Sequence, residues 1–99
     1  MLERDIVNTI MKYLKTVPAC FSFKEHGGMY GTAGIPDIIC CIQGYFIAFE
    51  VKTSVGRLTV LQQKTINKIN TAKGKAYKVT GVQDVSNILD SLGLGVDVK

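Results

Sequence analysis

Two apolar stretches on either side of Gln43-Gly44 constrain the fold of this chain most strongly. Residues 34–52 predict two buried strands around a tight turn, because almost every position there is apolar or small. Apart from the turn, the exceptions are three charges at the far end of the hairpin, Asp37, Glu50 and Lys52. A charge is costly to bury without a partner, so this end of the hairpin is the first candidate for a functional site.

The turn also sets the register of the two strands. In a two-residue hairpin the residues that flank the turn face each other. Counting back from there places Asp37 directly opposite Glu50, with Cβ atoms about 4.5–5.5 Å apart on one face of the sheet. Lys52 lies two residues beyond Glu50 and shares that face. A symmetric four-residue loop gives the same pairing, whereas a three-residue loop would move Asp37 away from Glu50.

Two opposed carboxylates repel each other unless something positive lies between them. A divalent cation would remove the repulsion, and Mg²⁺ is typically held by one or two carboxylates and several waters. Lys52 would then stand beside the ion, next to a bound water. The alternative is an ordinary cross-strand ion pair at a solvated end of the strands.

The composition is that of one globular domain spanning residues 1–99. The chain is 46% hydrophobic and carries a formal charge of +4, which is compatible with a nucleic-acid partner without establishing one. Its apolar runs are much shorter than a membrane span, and no membrane partner is expected. The three cysteines, Cys20, Cys40 and Cys41, form no Cys-x-x-Cys motif, and we expect buried, reduced thiols of a cytoplasmic protein.

Hydrophobic periodicity predicts further elements around the hairpin. We expect helices over 1–15, 60–72 and 82–92 and strands over 20–24 and 75–80. The first helix would bury a stripe made of Leu2, Ile6, Ile10 and Leu14. The order α-β-β-β-α-β-α then predicts an α/β fold, a mixed four-stranded sheet flanked by helices with a parallel crossover after Glu50. Residues 93–99 form either a frayed tail or an edge strand.

Several polar residues near the predicted strand ends have two interpretations each. Glu3 would favour the start of the first helix through the helix dipole, or it would contribute to the metal site. Thr59 can cap the helix over 60–72, and Gln62 in its first turn could point back to the strand ends. His26 is more simply a polar residue of the glycine-rich loop than a phosphate contact. Lys64 and Lys68 lie one turn apart, with solvent as the default and phosphate as the alternative.

These residues resemble a known motif. Pro36-Asp37 and Glu50-x-Lys52 at the two ends of one hairpin resemble the PD-(D/E)XK nuclease superfamily. Over residues 2–92 the chain resembles a stand-alone VRR-NUC domain, the virus-type replication-repair branch of that superfamily. The further matching features are Glu3, the glycine of Gly34-x-Pro-Asp and Gln62, although the adjacent Gln63 competes for the last assignment.

The resemblance implies a restriction-endonuclease-like core with a defined site. By resemblance, Asp37 and Glu50 bind Mg²⁺ or Mn²⁺, with the backbone carbonyl of Val51 as a third ligand. Lys52 would orient or activate the attacking water, and Glu3 and Gln62 would support the site. The possible DNA contacts are His26, Arg57, Lys64 and Lys68.

The implied function is a metal-dependent, structure-specific DNA endonuclease acting on branched DNA such as four-way junctions. The family further implies a homodimer, encoded by a phage or prophage and working in the cytoplasm of a bacterial host. Residues 92–98 and Met29-Tyr30 are the candidate interface segments. Two other classes compete with this prediction, a nuclease-like fold that binds nucleic acid without chemistry and an interaction protein with an exposed strand.

Overall fold

The computed structural model describes residues 1–25 and 33–95 of the chain. Its elements follow the predicted order, and their ends differ from the predicted ones by at most two residues, except that the first strand of the hairpin begins at Ile38, four residues after the start of the predicted stretch. They are α1 (Glu3–Leu14), β1 (Cys20–Lys24), β2 (Ile38–Ile42), β3 (Tyr45–Val51), α2 (Val60–Thr71), β4 (Lys75–Val79) and α3 (Val82–Ser91). The predicted α/β class and the α-β-β-β-α-β-α order are confirmed.

The β2–β3 hairpin has the predicted two-residue turn. Gln43 and Gly44 have φ values of 50° and 88°, the left-handed conformation at both central positions that a type I′ turn requires. Ile42 faces Tyr45 and Ile38 faces Phe49 across the pair. The predicted register is therefore confirmed.

The four strands form one mixed sheet in the order β1-β2-β3-β4. The first three strands are antiparallel, and β4 runs parallel to β3 after the α2 crossover. Alternate side chains along each strand therefore belong to two different faces.

The two faces of the sheet are covered by different helices. The face packed against α1 and α3, the α1/α3 face, holds the main core. Its buried sheet residues are Ile38, Cys40, Ile42, Ile47, Phe49, Val51 and Val79, and its buried helix residues are Ile6, Ile10, Leu14, Val85 and Leu89. The other face, the α2 face, buries a smaller set in which Ile66 of α2 packs against Ala48 and Ala76.

The first helix buries most of its predicted stripe. Ile6, Ile10 and Leu14 are buried, but Leu2 is 58% exposed. Leu2 precedes the first helical turn, and its backbone N–H donates to the Asp5 carboxylate at 3.3 Å. Its side chain therefore lies outside the stripe, contrary to the prediction.

The end of α3 also differs from the prediction. Gly93 has φ of 74°, its N–H donates to the Asp90 carbonyl, and the Leu94 N–H donates to the Leu89 carbonyl at 2.8 Å. This pair of bonds is a Schellman motif, in which the apolar residue after the glycine packs back on the helix. Leu94 is buried in the main core. Residues 93–95 are thus a helix cap rather than a frayed tail or edge strand, and residues 96–99 lie outside the described residues.

The three cysteines are free thiols with different environments. Cys40 is buried and Cys20 is half-buried, but Cys41 is exposed on the α2 face, so the expectation of buried thiols is wrong for Cys41. Burial raises the pKa of the Cys40 thiol to about 12, which keeps it protonated.

Over residues 1–25 and 33–95, none of the helices is both long enough and apolar enough to cross a membrane.

Candidate active site

The register of the hairpin brings Asp37 and Glu50 together at the end of the sheet. Pairs in an antiparallel ladder alternate between hydrogen-bonded and non-hydrogen-bonded, and the pair that flanks a two-residue turn is hydrogen-bonded. Continued one residue beyond Ile38↔Phe49, this alternation makes Asp37 and Glu50 a non-hydrogen-bonded pair. Side chains approach most closely in such pairs.

Asp37 is held rigidly in this position. Its Oδ2 accepts a hydrogen bond from the Val51 backbone N–H at 2.8 Å. Its own carbonyl accepts the Glu25 N–H at 2.8 Å, which ties the residue to the end of β1. The Val51 bond therefore fixes the Asp37 carboxylate and the Glu25 bond fixes its backbone before any ligand binds.

Pro36 explains why a backbone carbonyl is available beside this carboxylate. The same register places Pro36 opposite Val51, at a hydrogen-bonded position where two residues normally exchange both ladder bonds. Proline has no N–H to donate, and the Val51 N–H is already bonded to Asp37. The Val51 carbonyl, on the same edge of the strand, therefore receives no ladder donor from Pro36. It has the chemistry of the third ligand that the resemblance implied.

Glu50 is the most perturbed group in the cluster. Its side chain is only 3% exposed, and burial raises its pKa from 4.5 to about 8, together with a hydrogen bond to Asp37 and the charge of Asp37. Lys52 lowers this pKa and Glu3 raises it further. At neutral pH without metal, the Glu50 carboxyl therefore keeps its proton, and a cation bound between Glu50 and Asp37 would replace it.

Lys52 contributes the only cation in direct contact with the carboxylates among the described residues. Its side chain is buried, and its Nζ lies 3.9 Å from Glu50 Oε2. The Lys52 backbone N–H donates to the Val79 carbonyl at 3.0 Å, so β4 holds its backbone in place. Asp37, Glu50 and Lys52 are called the carboxylate–lysine cluster below.

Gln62 reaches the cluster from α2 through a capping box. Thr59 Oγ1 accepts the Gln62 N–H at 3.1 Å, and Gln62 Oε1 accepts the Thr59 N–H at 2.9 Å. This leaves Gln62 Nε2 to donate to Glu50 Oε2 at 3.3 Å. The adjacent Gln63 instead donates to Asn67 at the surface, so the structure places Gln62, and not Gln63, against the carboxylate.

Glu3 lies at the rim of the cluster rather than inside it. It is exposed at the start of α1, and it lines a cleft of about 290 Å³ that also contains Asp37. Its charge reaches Glu50, since it raises the pKa of that carboxyl. The structure thus brings Glu3 near the cluster, where it can act on a ligand in the cleft.

Sequence reasoning missed two basic residues in this cleft. Arg4 and Lys24 line it together with Glu25, and Lys24 Nζ donates to Asn8 Oδ1 at 3.1 Å. Lys24 faces Ile38, the neighbour of Asp37. Only the β1–β2 register could have shown this, and the connection between those strands is too long for its pairing to be counted from sequence.

The described residues among the proposed DNA contacts are all at the surface. Arg57, Lys64 and Lys68 are exposed, and Lys68 lines a groove beside Phe46. His26 lies outside the described residues, as do Met29 and Tyr30.

The donor set at the cluster consists of oxygens. Over residues 1–25 and 33–95, no three His, Cys, Asp or Glu side chains come together as a metal site by themselves, so a cation at the cluster would need the backbone carbonyl or waters as further ligands. Two carboxylates and one backbone carbonyl are hard ligands that suit Mg²⁺ or Mn²⁺ rather than zinc. The residues present therefore fit the predicted cation.

Gly34 positions the strand that carries Asp37, which leads to a testable expectation. It has φ of 84°, and a Cβ there would lie 2.8 Å from Leu61 Cγ and 2.9 Å from Thr65 Oγ1. We expect Gly34→Ala to combine backbone strain with overlap against α2, each about 1–3 kcal/mol. Melting followed by circular dichroism should show a loss of on the order of 10 °C.

The matched control for this substitution is Gly44→Ala. Gly44 has φ of 88°, but nothing lies within 4 Å of an added Cβ. This variant should lose only the part due to backbone strain. Equal melting temperatures for the two variants would show that the contact between Gly34 and α2 does not matter.

Comparison with known proteins places this geometry in a known fold. No family model matches the sequence, and no curated protein matches it. A solved structure described as a "VRR_NUC domain protein" superposes with a TM-score of 0.74, covering 96% of this chain and 91% of that one at 19% sequence identity. At this level of identity the likeness concerns the backbone alone. The chain has the fold of a VRR-NUC domain, a nuclease-type fold.

Proposed function

We propose that this chain is a metal-dependent endodeoxyribonuclease of the PD-(D/E)XK superfamily, with Mg²⁺ or Mn²⁺ as its cofactor. The observation that carries the proposal is the carboxylate–lysine cluster, in which Asp37 is fixed by the Val51 N–H and buried Glu50 lies beside buried Lys52. Similarity of the fold alone would not support a catalytic activity, because function depends on the residues of the site.

Asp37, Glu50 and the Val51 carbonyl would hold the cation. When bound, it would withdraw charge from a phosphate and lower the pKa of a coordinated water. Because the polyanionic substrate repels the two carboxylates, metal and DNA should bind cooperatively.

The remaining groups position the reactants. Lys52 can hold a water by hydrogen bonding, since its ammonium is fixed beside Glu50. Gln62 keeps the Glu50 carboxylate oriented by donating to Oε2. Arg4 and Lys24 in the adjacent cleft offer cations to the phosphates that flank the scissile bond.

Cleavage assays test this function directly. Purified protein should cut DNA with Mn²⁺ or Mg²⁺ and should be inactive with chelator, and Asp37→Asn should be inactive under all conditions. The panel should contain duplex, nicked, flapped and forked DNA and four-way junctions. Metal-independent cutting, or no cutting of any substrate, would overturn the proposal.

We further propose that the working unit is a homodimer that cuts two strands of a branched DNA, most simply a four-way junction. One carboxylate–lysine cluster serves one scissile phosphate at a time, and closed two-fold dimers are the commonest oligomers. Of the candidate interface residues 92–98, Leu94 is buried in the core of its own chain. The C-terminal segment cannot offer that side chain to a partner.

Sedimentation velocity at micromolar concentration tests the assembly. A dimer that makes paired, symmetric cuts in a junction supports both parts of the proposal. A stable monomer that makes the same paired cuts would contradict the assembly, and a dimer that cuts only flaps would contradict the junction as substrate.

A further inference from the structure

An aromatic patch lies on the α2 face beyond the carboxylate–lysine cluster. Phe21 and Phe23 of β1 are 69% and 44% exposed, and Phe46 of β3 is 46% exposed. The rings of Phe21 and Phe23 are 6.2 Å apart and tilted by 53°. Phe21 and Phe46 both pair with Cys41, whose small side chain lies between them. These three phenylalanines are called the aromatic patch.

The patch begins next to the cluster. Phe23 pairs with Ile39, which lies two residues from Asp37 on the same face, or about 7 Å along the strand. Phe21 and Phe46 lie two residues further toward the turn. The patch therefore extends roughly 7–13 Å from the carboxylates, the length of about two to four stacked nucleotides at 3.4 Å each.

The charges around the patch favour a polyanion. The connector over 53–59 and α2 carry Arg57, Lys64 and Lys68 and no acidic residue. On the opposite side of the sheet, α1 carries two acidic and two basic residues, and α3 carries Asp84 and Asp90 and no basic residue. The positive side of the molecule is thus the side that presents both the cluster and the aromatic patch.

The same charges disfavour a second copy of the chain as the occupant. A two-fold dimer through this face would bring the same lysines and arginine of two chains toward each other. Like charges brought together across an interface cost several kcal/mol. A polyanion has no such penalty.

A groove joins the aromatic patch to the basic helix. About 370 Å³ of space lies between Phe46 and the end of α2, lined by Lys68, Ile69, Ala72 and Gly74. An apolar floor with a lysine at its rim suits a base on the floor and a phosphate at the rim. Single-stranded DNA combines these two groups at every nucleotide.

We propose that the aromatic patch is a stacking platform for unpaired bases of single-stranded DNA next to the scissile phosphate, with Lys68 contacting the DNA backbone. This inference rests on the proposed nuclease function and adds the part of the substrate that the sheet recognises. Bases within a duplex already stack on their neighbours, so a platform of rings selects unpaired segments. Aromatic side chains beside a basic groove are the usual means of binding single strands without sequence preference.

A single-tryptophan variant gives a direct signal of stacking. The chain has no tryptophan, so Phe21→Trp places a single tryptophan in the patch, and its emission can be followed by selective excitation. Its emission should be quenched when a twelve-residue oligothymidylate binds in the presence of chelator. Tyr45→Trp is the matched control, because Tyr45 is 49% exposed but points to the α1/α3 face, and its emission should not change.

Affinity measurements complete the test. By fluorescence anisotropy, Phe21→Ala and Phe23→Ala should each bind the oligothymidylate about five- to a hundred-fold more weakly than the parent. Tyr45→Ala should bind within twofold of the parent, and all variants should bind blunt duplex nearly equally. Circular dichroism establishes that each variant is folded.

The outcomes separate this inference from the proposed function. The platform would be overturned if the emission of Phe21→Trp were not quenched and the alanine variants bound the oligothymidylate as tightly as the parent. This holds even if the protein cuts DNA. Phenylalanine-dependent binding by a protein that cuts nothing would support the platform and overturn the nuclease. A change from dimer to monomer in Phe21→Ala, without loss of single-strand affinity, would assign the patch to contacts between copies and overturn the platform.

Discussion

Replacing Lys52 by alanine is expected to lower the single-turnover cleavage rate by a hundred- to ten-thousand-fold at saturating Mn²⁺. The reason is that, in the proposed function, the buried ammonium, 3.9 Å from Glu50, would hold the attacking water and would be needed only during hydrolysis. The enzyme concentration that gives half-maximal rate should change by no more than about threefold. Lys52→Met, which keeps most of the side-chain volume, should show the same loss.

Lys78→Ala is the matched control for this prediction. Lys78 pairs with Glu50 on the neighbouring strand but is exposed, so its removal changes the same charge without removing a buried group. It should retain activity within threefold. If Lys52→Ala and Lys78→Ala behaved alike, Lys52 would act only through its charge, and unchanged properties in both would favour a binding module without chemistry.

Glu50→Gln is expected to abolish cleavage and to stabilise the metal-free protein above neutral pH. Burial and Asp37 raise the Glu50 pKa from 4.5 to about 8, a difference that corresponds to several kcal/mol. Glutamine mimics the protonated carboxyl, since its amide can donate to Asp37 and its oxygen can accept from Gln62. In chelator at pH 8.5, its melting temperature should exceed that of the parent by on the order of 10 °C.

The pH dependence of this gain follows from proton linkage. Below about pH 4.5 the Glu50 carboxyl is protonated in both the folded and the unfolded chain, so the variant should gain nothing. Between pH 4.5 and 8 the folded chain keeps a proton that the unfolded chain releases, and rising pH therefore lowers the stability of the parent. The difference between variant and parent should grow through this window and level off above pH 8.

Two comparisons make the result decisive. Glu3→Gln, at an exposed position on the rim of the cleft, should change the melting temperature by about 2 °C at most. Added Mn²⁺ should stabilise the parent and leave Glu50→Gln unchanged. A clear fall in the melting temperature of Glu50→Gln at pH 8.5 would show that the ion pair with Lys52 supports the fold.

The sequence predicts the β2–β3 hairpin best, because the number of residues in its turn determines which residues pair. The turn at Gln43-Gly44 fixes the pairing of its strands, so the proximity of Asp37 to Glu50 follows without knowledge of any other element. The role of Gln62 can be predicted only in part, since a capping box predicts the position of its backbone but not where its side chain points. Its choice over Gln63 depends on the angle at which α2 crosses the sheet.

Features that depend on packing between distant segments could not be predicted in this way. Lys24 and Arg4 reach the cleft through the β1–β2 register and the placement of α1. The exposed Phe21 and Phe23 alternate with Ser22 in a five-residue strand, and only the position of α2 decides which face stays open. Leu94 lies in a stretch of alternating polarity that suggests a strand, yet the left-handed Gly93 folds it back into the core.

The short turn of the β2–β3 hairpin limits how this protein can evolve. It lies six residues from Asp37 and Glu50, about 20 Å along the strands, yet its length determines which side chains meet there. The identities of Gln43 and Gly44 can change wherever a left-handed backbone is tolerated. Insertion or deletion of a single residue would shift one strand against the other and separate the two carboxylates. We therefore expect lineages of this protein to conserve the number of residues in this turn more strictly than the residues themselves.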